Sequence, residues 1–178
     1  MTGPLAIPIS DRMMIRTLAL FFGLLSAGSL SQLPEFAQQY GQRLGGAVDE
    51  LATIAADFDA SADRAGLSRD EALEQYSAEG NGFLIDRGRD MGRTLARYEK
   101  LSAQQRAFET ADPIERSLTL VTNGDVELAN ETLSAFRPAV PVTAEGFLFA
   151  GAGFLAGFVA LFALLKLIAL PFRRRRPV

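Results

Sequence analysis

The run GFLFAGAGFLAGFVALFALLKLIAL, residues 146–170, is followed by Pro171, Phe172 and four arginines, Arg173, Arg174, Arg175 and Arg176. About 25 apolar residues in a row suffice to cross a ~30 Å hydrocarbon layer as a helix. Arginines directly after a span hold that end on the cytoplasmic side and anchor it to anionic headgroups. Residues 146–172 are therefore expected to form a transmembrane helix, with residues 173–178 as a basic cytoplasmic tail.

A second apolar stretch, MMIRTLALFFGLLSAGSLSQL, covers residues 13–33 and has Asp11, Arg12 and Arg16 at its front. It reads as a first transmembrane helix, with residues 1–12 as a cytoplasmic tail. A rival reading is a secretory signal peptide cut near Ser26-Ala27-Gly28-Ser29, but the apolar stretch exceeds the usual core of about 7–15 residues. Met13 and Met14 are alternative start positions.

The chain has 178 residues and a net charge of −3, which hides an asymmetry. Residues 34–145 hold 11 basic and 20 acidic side chains; the remainder holds 7 basic and 1 acidic. That partition fits both termini inside and an exported middle segment, with the arginine clusters carrying the inference. A bacterial inner membrane with residues 34–145 in the periplasm is the expected location.

The sequence contains no cysteine, histidine or tryptophan. Disulfides, thiol chemistry and cysteine metal sites are excluded, as are histidine acid–base catalysis and histidine ligation. Nucleotide-binding and nucleophile-elbow fingerprints are also missing. The expectation is a non-enzymatic protein with no cofactor and no metal site. An acidic, exported segment also argues against nucleic acid as a partner.

The middle segment reads as helix nearly throughout. Phe36, Tyr40, Leu44, Val48, Leu51, Ala55, Phe58 and Ala62 recur at three- and four-residue intervals, predicting a long helix over about 35–64. Ser68 and Glu71 form a capping box for a short helix over 69–77. Gly80-Asn81-Gly82 is a turn. A second long helix follows over 83–108, with Leu84, Gly88, Met91, Leu95, Tyr98, Leu101, Ser102, Gln105 and Phe108 on its apolar side. Asp112-Pro113 opens a helix over 113–122, Asp125 caps another over 126–136, and Thr143 caps the exit into the second span. The two long helices carry narrow stripes near a seven-residue repeat, so an antiparallel helical hairpin is the expected way to bury both. The fold class is an all-α membrane protein: two transmembrane helices flanking an extramembrane helical domain.

Several features invite sharper readings. Gly23, Ala27 and Ser31, and the pair Gly153 and Gly157, are small residues at four-residue spacing, which lets helices approach closely in lipid. They are expected to pack the two spans together; homodimerisation through Gly153 and Gly157 is the alternative. Arg87, Arg89, Arg93, Arg97 and Lys100 make a basic stripe, read as local ion pairs and as facing Asp49, Glu50 and Asp57 across the hairpin. Asp57-Phe58-Asp59-Ala60-Ser61-Ala62-Asp63 has oxygen ligands at alternate positions but lacks the glycine and the terminal glutamate of a calcium loop. Gly45-Gly46 inside a long helix costs about 1 kcal/mol per glycine relative to alanine, which suggests close packing, a kink or a partner notch. Arg137-Pro138-Ala139-Val140-Pro141 is expected to be a stiff connector.

MIRTLALFFGLL (14–25), QLPEFAQQYGQRLGGAVDEL (32–51), ADFD (56–59), AGLSRDEAL (65–73), RGRDMGRTLARYEKL (87–101) and FRPAVPVTAEGFLFAGAGFLAGF (136–158) together resemble one family. It is a family of two-span inner-membrane proteins of proteobacteria, catalogued as domain of unknown function 2937, and the resemblance runs from Met14 to about Leu165. It implies two spans around an exported loop and carries no activity, ligand or catalytic residue. The expected role is an accessory or scaffold protein that contacts the lipid bilayer and either a larger membrane-protein partner or a second copy. Phe36, Tyr40, Gly45, Gly46, Arg89, Arg93 and Arg97 are the candidate contact residues. A periplasmic sensor or small-ligand module is the alternative.

Overall fold

A computed structural model describes the backbone of residues 9–78 and 81–173, and side chains over 13–78 and 81–168. Gly80, the side chain of Arg173, and the anchor residues Arg174, Arg175 and Arg176 lie outside the described residues. The described residues are all-helical, without a strand among them. In order the helices are α1 (Ile9–Leu30), α2 (Leu33–Arg64), α3 (Arg69–Ala78), α4 (Gly82–Thr110), α5 (Pro113–Asn123), α6 (Val126–Ser134) and α7 (Ala144–Arg173). The chain forms two compact units, one from residues 1–36 and 137–178, the other from residues 37–136.

The first unit is a pair of helices, α1 and α7, both long and apolar enough to cross a membrane. They meet over one narrow face and leave large apolar side chains exposed around the rest, among them Phe21, Leu24, Phe147, Leu155 and Leu167. The contact is made by the small residues. A Cβ placed on Gly153 would come within 2.6 Å of the Ser26 carbonyl oxygen, and one on Gly157 within 3.0 Å of the Phe22 carbonyl oxygen. A Cβ on Gly23 would lie 2.9 Å from the Phe154 ring. Residues rising along α1 therefore meet residues falling along α7, and the helices run antiparallel. Ala19, Gly23, Ser31, Gly153 and Gly157 are buried, while Ala27 is half-buried. The face read as an alternative homodimer seam is occupied by α1 of the same chain.

The helix α1 passes into α2 through Ser31 and Gln32, with Pro34 in the first turn of α2, where its missing N–H costs no hydrogen bond. Gln32 does more than join them. Its amide donates to the Ala139 carbonyl at 3.0 Å and accepts from the Ala139 N–H at 3.0 Å. One side chain thus satisfies both backbone groups of a residue in the extended segment between α6 and α7, as a neighbouring strand would. Thr143 then caps α7 by accepting from the Gly146 N–H at 3.2 Å.

In the second unit the seven-residue rhythm of α2 buries Ala37, Tyr40, Leu44, Val48, Ala55 and Ala62. On α4 the buried residues are Leu95, Leu101, Ser102 and Phe108. The Tyr40 and Phe108 rings are 5.6 Å apart, and the Tyr40 hydroxyl lies 3.0 Å from Gln104. Near the other end of α2, Ile54 and Phe58 share a cleft with Met91. Contacts therefore run in opposite order along α2 and α4. The helix α3 packs tightly on α4, since a Cβ on Gly88 would sit 2.5 Å from that of Tyr76. Ser68 and Glu71 form the capping box of α3, and Asp112 with Glu115 forms that of α5.

The close approach of α1 and α7 yields a direct test. Gly157→Leu forces atoms into the Ser26 side chain and the Phe22 carbonyl, a type of overpacking that costs about 1–3 kcal/mol. Gly151, six residues earlier on α7, faces open space. Thermal unfolding of the full chain in detergent is expected to fall by several degrees for Gly157→Leu and to stay level for Gly151→Leu.

Candidate functional site

The corner between α5 and α6 is where the second unit concentrates its polar chemistry. Asp125 caps α6 by accepting from the Leu128 N–H at 3.3 Å. The same carboxylate takes Lys100 at 2.8 Å and Arg97 at 3.6 Å. Its backbone N–H donates to the Tyr40 hydroxyl oxygen at 2.9 Å, and that hydroxyl donates to Gln104 Oε1 at 3.0 Å. Gln104 Nε2 in turn donates to the Asn123 carbonyl at 2.6 Å. Arg97, Lys100 and Gln104 recur at three- and four-residue spacing, so one stripe of α4 grips the corner that Tyr40 supports from α2.

Burial decides the character of this node. Tyr40 is 0% and Asp125 5% exposed. Desolvation pushes the Tyr40 hydroxyl above its ordinary pKa, more than the Asp125 N–H and Gln104 hydrogen bonds pull it down. For Asp125 burial acts upward too, yet the Lys100 hydrogen bond, the Leu128 N–H and the charges of Lys100 and Arg97 outweigh it and hold the carboxyl below its ordinary value. Both groups are thus kept in the protonation state that their hydrogen bonds require.

The basic stripe makes the expected local ion pairs at one end and finds other partners than expected at the other. Arg89 pairs with Asp86 at 2.9 Å, and Arg93 pairs with Asp90, each one turn back. Arg97 bridges to Glu127 at 2.9 Å as well as to Asp125. The expected facing of Asp49, Glu50 and Asp57 is replaced by pairing with the first turn of α6, where two acids complement the helix N-terminus. Arg69 takes Asp59 through two bonds, at 2.8 and 2.5 Å, and reaches Glu99 at 3.3 Å, tying α3 to both long helices. The Arg69 hydrogen bonds hold the Asp59 carboxyl below its ordinary pKa. The Asp57–Asp63 segment is not a loop; it forms the last turns of α2.

The candidate contact residues separate accordingly. Arg89, Arg93 and Gly46 are exposed, and a Cβ on Gly46 would meet open space, so close packing does not account for that glycine. Gly45 and Phe36 are half-buried, the former near the Gln105 amide. Tyr40 is corrected: it is a buried support and offers nothing to an outside partner. Arg97 is engaged inside the unit. What the sequence reading missed lies on α5 and α6. Ser117 is fully buried, donating to the Pro113 carbonyl, while Ile114, Leu118 and Val121 of the same helix are exposed at i, i+4 and i+7. Val126 and Leu133 of α6 are exposed too. Their periodicity is legible in the sequence, but it is read naturally as a core stripe.

A second feature is an open cleft of about 440 Å³ between α2, α3 and α4, floored by Phe58, Ala62, Leu67, Ala72 and Met91 with Asp57 and Tyr76 among its polar lining.

Two outcomes check the node. Tyr40→Phe leaves the buried Asp125 N–H without its acceptor and is expected to cost about 1–3 kcal/mol in chemical unfolding of the full chain. Asp125 has a folded pKa below its unfolded value, so its charge contributes stability above about pH 4 that is lost as pH falls through the folded pKa. Asparagine caps helices as well as aspartate, so Asp125→Asn is expected to flatten that acid limb while keeping the fold. For Tyr40 the sign is opposite: its contribution is present below its ordinary pKa and lost as pH rises through the raised one.

No curated protein and no solved structure matches the chain. A family model described as "Protein of unknown function (DUF2937)" matches residues 12–174, which spans α1 through α7 and includes the node, the connector and both apolar helices. The chain belongs to that family.

Proposed function

We propose that this protein is a non-enzymatic accessory or scaffold component of a membrane assembly, docking on a larger membrane-protein partner through the apolar face of α5 and α6. One observation carries the reading. On α5 the chain buries Ser117 and Leu120 yet leaves Leu118 54% and Val121 67% exposed, a second apolar face that the core of this unit does not use. Exposed apolar surface of this kind, rimmed by charge, is characteristic of interaction sites. Glu115, Arg116, Glu127 and Glu131 supply the rim.

In the same proposal α1 and α7 cross a bacterial inner membrane, with α1 retained as an uncleaved anchor. Ser26 and Phe22 packed on Gly153 and Gly157 favour retention, because removing α1 would uncover that seam. The arginine tail puts the termini in the cytoplasm and residues 34–145 in the periplasm. The exposed Arg89 and Arg93 remain candidate contacts beside the new face.

A second reading, a periplasmic small-ligand module, rests on the cleft of about 440 Å³, a size within the range of ligand sites.

Gentle-detergent extraction of the tagged full chain, followed by sizing and mass spectrometry, separates the readings. A stoichiometric complex that Leu118→Glu with Val121→Glu abolishes, at unchanged helicity, is the expected result. A lone chain in wild type and variant alike contradicts it and transfers weight to the cleft.

A further inference from the structure

We infer that Arg16 and Lys166 bind the phosphates of anionic phospholipids at one boundary of the helix pair, distinct from the arginine tail. The inference rests on the reading of α1 and α7 as membrane-spanning helices. Its first support is register. Phe22 and Gly157 meet across the helix pair, and Arg16 lies six residues before Phe22 while Lys166 lies nine after Gly157. At 1.5 Å per residue the two cations stand ~9 and ~14 Å beyond that contact, toward the same end of the pair. Lys166 is also ~30 Å along α7 from Gly146, the thickness of a hydrocarbon core. Both cations therefore fall at one hydrocarbon–headgroup boundary.

The second support is the lack of a counter-charge. Residues 13–33 and 146–168 contain no carboxylate, and both cations are exposed. Asp11, the acid nearest that end in the sequence, adjoins Arg12. The helix pair is polarised, since Glu35 and Glu145 flank its other end. Two cations at the edge of lipid without an acid take their counter-ion from the leaflet.

The third support is that Lys166 is held in place. Its ammonium sits 4.5 Å from the centroid of the Phe162 ring. Phe154, Phe158 and Phe162 stack along α7 with centroids 6.0 and 5.8 Å apart. A cation fixed over a ring gives up less conformational freedom on binding than a mobile lysine. The phenylalanine ladder beneath it offers an apolar track for an acyl chain. A lipid, with charge at the boundary and a chain running inward, matches both parts; a free phosphate matches only the first.

Native mass spectrometry of the detergent-solubilised full chain, exchanged against dioleoyl phosphatidylglycerol or dioleoyl phosphatidylcholine, tests the site. Two surface cations contribute about 1 kcal/mol each toward anionic lipid, so retention is expected to favour phosphatidylglycerol by about tenfold or more. Arg16→Gln with Lys166→Gln is expected to bring the two lipids to parity, and the charge-preserving Arg16→Lys with Lys166→Arg to restore the preference. Neutralising Arg174, Arg175 and Arg176 is expected to leave it intact. Equal retention by wild type, preference surviving in the double glutamine variant, preference abolished by the tail variant, or full competition by inorganic phosphate would each overturn the site. Release of the chain from membranes by alkaline carbonate would instead overturn the spanning reading, whatever the lipid preference.

Discussion

The backbone contact between Ser26 and Gly153, with Phe22 against Gly157, is the constraint on which the rest depends. In lipid, apolar bulk gives a helix no reason to choose one neighbour, so specificity comes from how closely two backbones can approach. Glycine at both positions allows carbonyl oxygens of α1 to sit where a Cβ would otherwise stand. The antiparallel pair that results joins the two ends of the chain into one unit. Everything between Phe36 and Arg137 is left to fold as its own unit. Gln32 reinforces the arrangement by clamping Ala139 where the chain returns.

The second unit solves a different problem, namely how to order several helices with a modest core. Many of its buried side chains are small, with Ala37, Ala55, Ala62, Ser102 and Ser117 among them. Polar hydrogen bonds therefore carry much of the geometric specificity. Tyr40, Gln104, Lys100, Arg97 and Asp125 connect α2, α4 and the α5–α6 corner, and every buried side-chain polar atom among the described residues has a partner. A network satisfied to that degree rigidifies the unit. In the proposed function, that rigidity presents Ile114, Leu118 and Val121 outward as a fixed surface.

Much of this architecture was legible in the sequence, and the reasons are local. Seven-residue recurrence placed α2, and the boxes at Ser68–Glu71 and Asp112–Glu115, with the cap at Asp125, placed the short helices, because caps are decided within one turn. Small-residue spacing also pointed to Gly153 and Gly157. Illegible features were those decided by which helix lies opposite which. Arg97 and Lys100 had acids available on α2 and on α6, and only tertiary placement selects Asp125 and Glu127. Tyr40 fell on the apolar stripe of α2 and was also a candidate contact, because its hydroxyl partner, the Asp125 N–H, is 85 residues away in the chain. The exposed face of α5 was missed for a related reason: apolar periodicity marks a face without saying whether this chain covers it.

The account stands or falls on an antiparallel helix pair that crosses a bilayer with residues 34–145 on one side and both ends on the other. With no native cysteine, single introduced thiols report location cleanly. Ala103→Cys, exposed on α4, and a cysteine appended after Val178 would each be treated with a membrane-impermeant maleimide, once on cells with only the outer membrane opened and again after full lysis. The account predicts labelling at position 103 before lysis and at the C-terminus only after it. Equal labelling of both positions before lysis, or of neither, would contradict it.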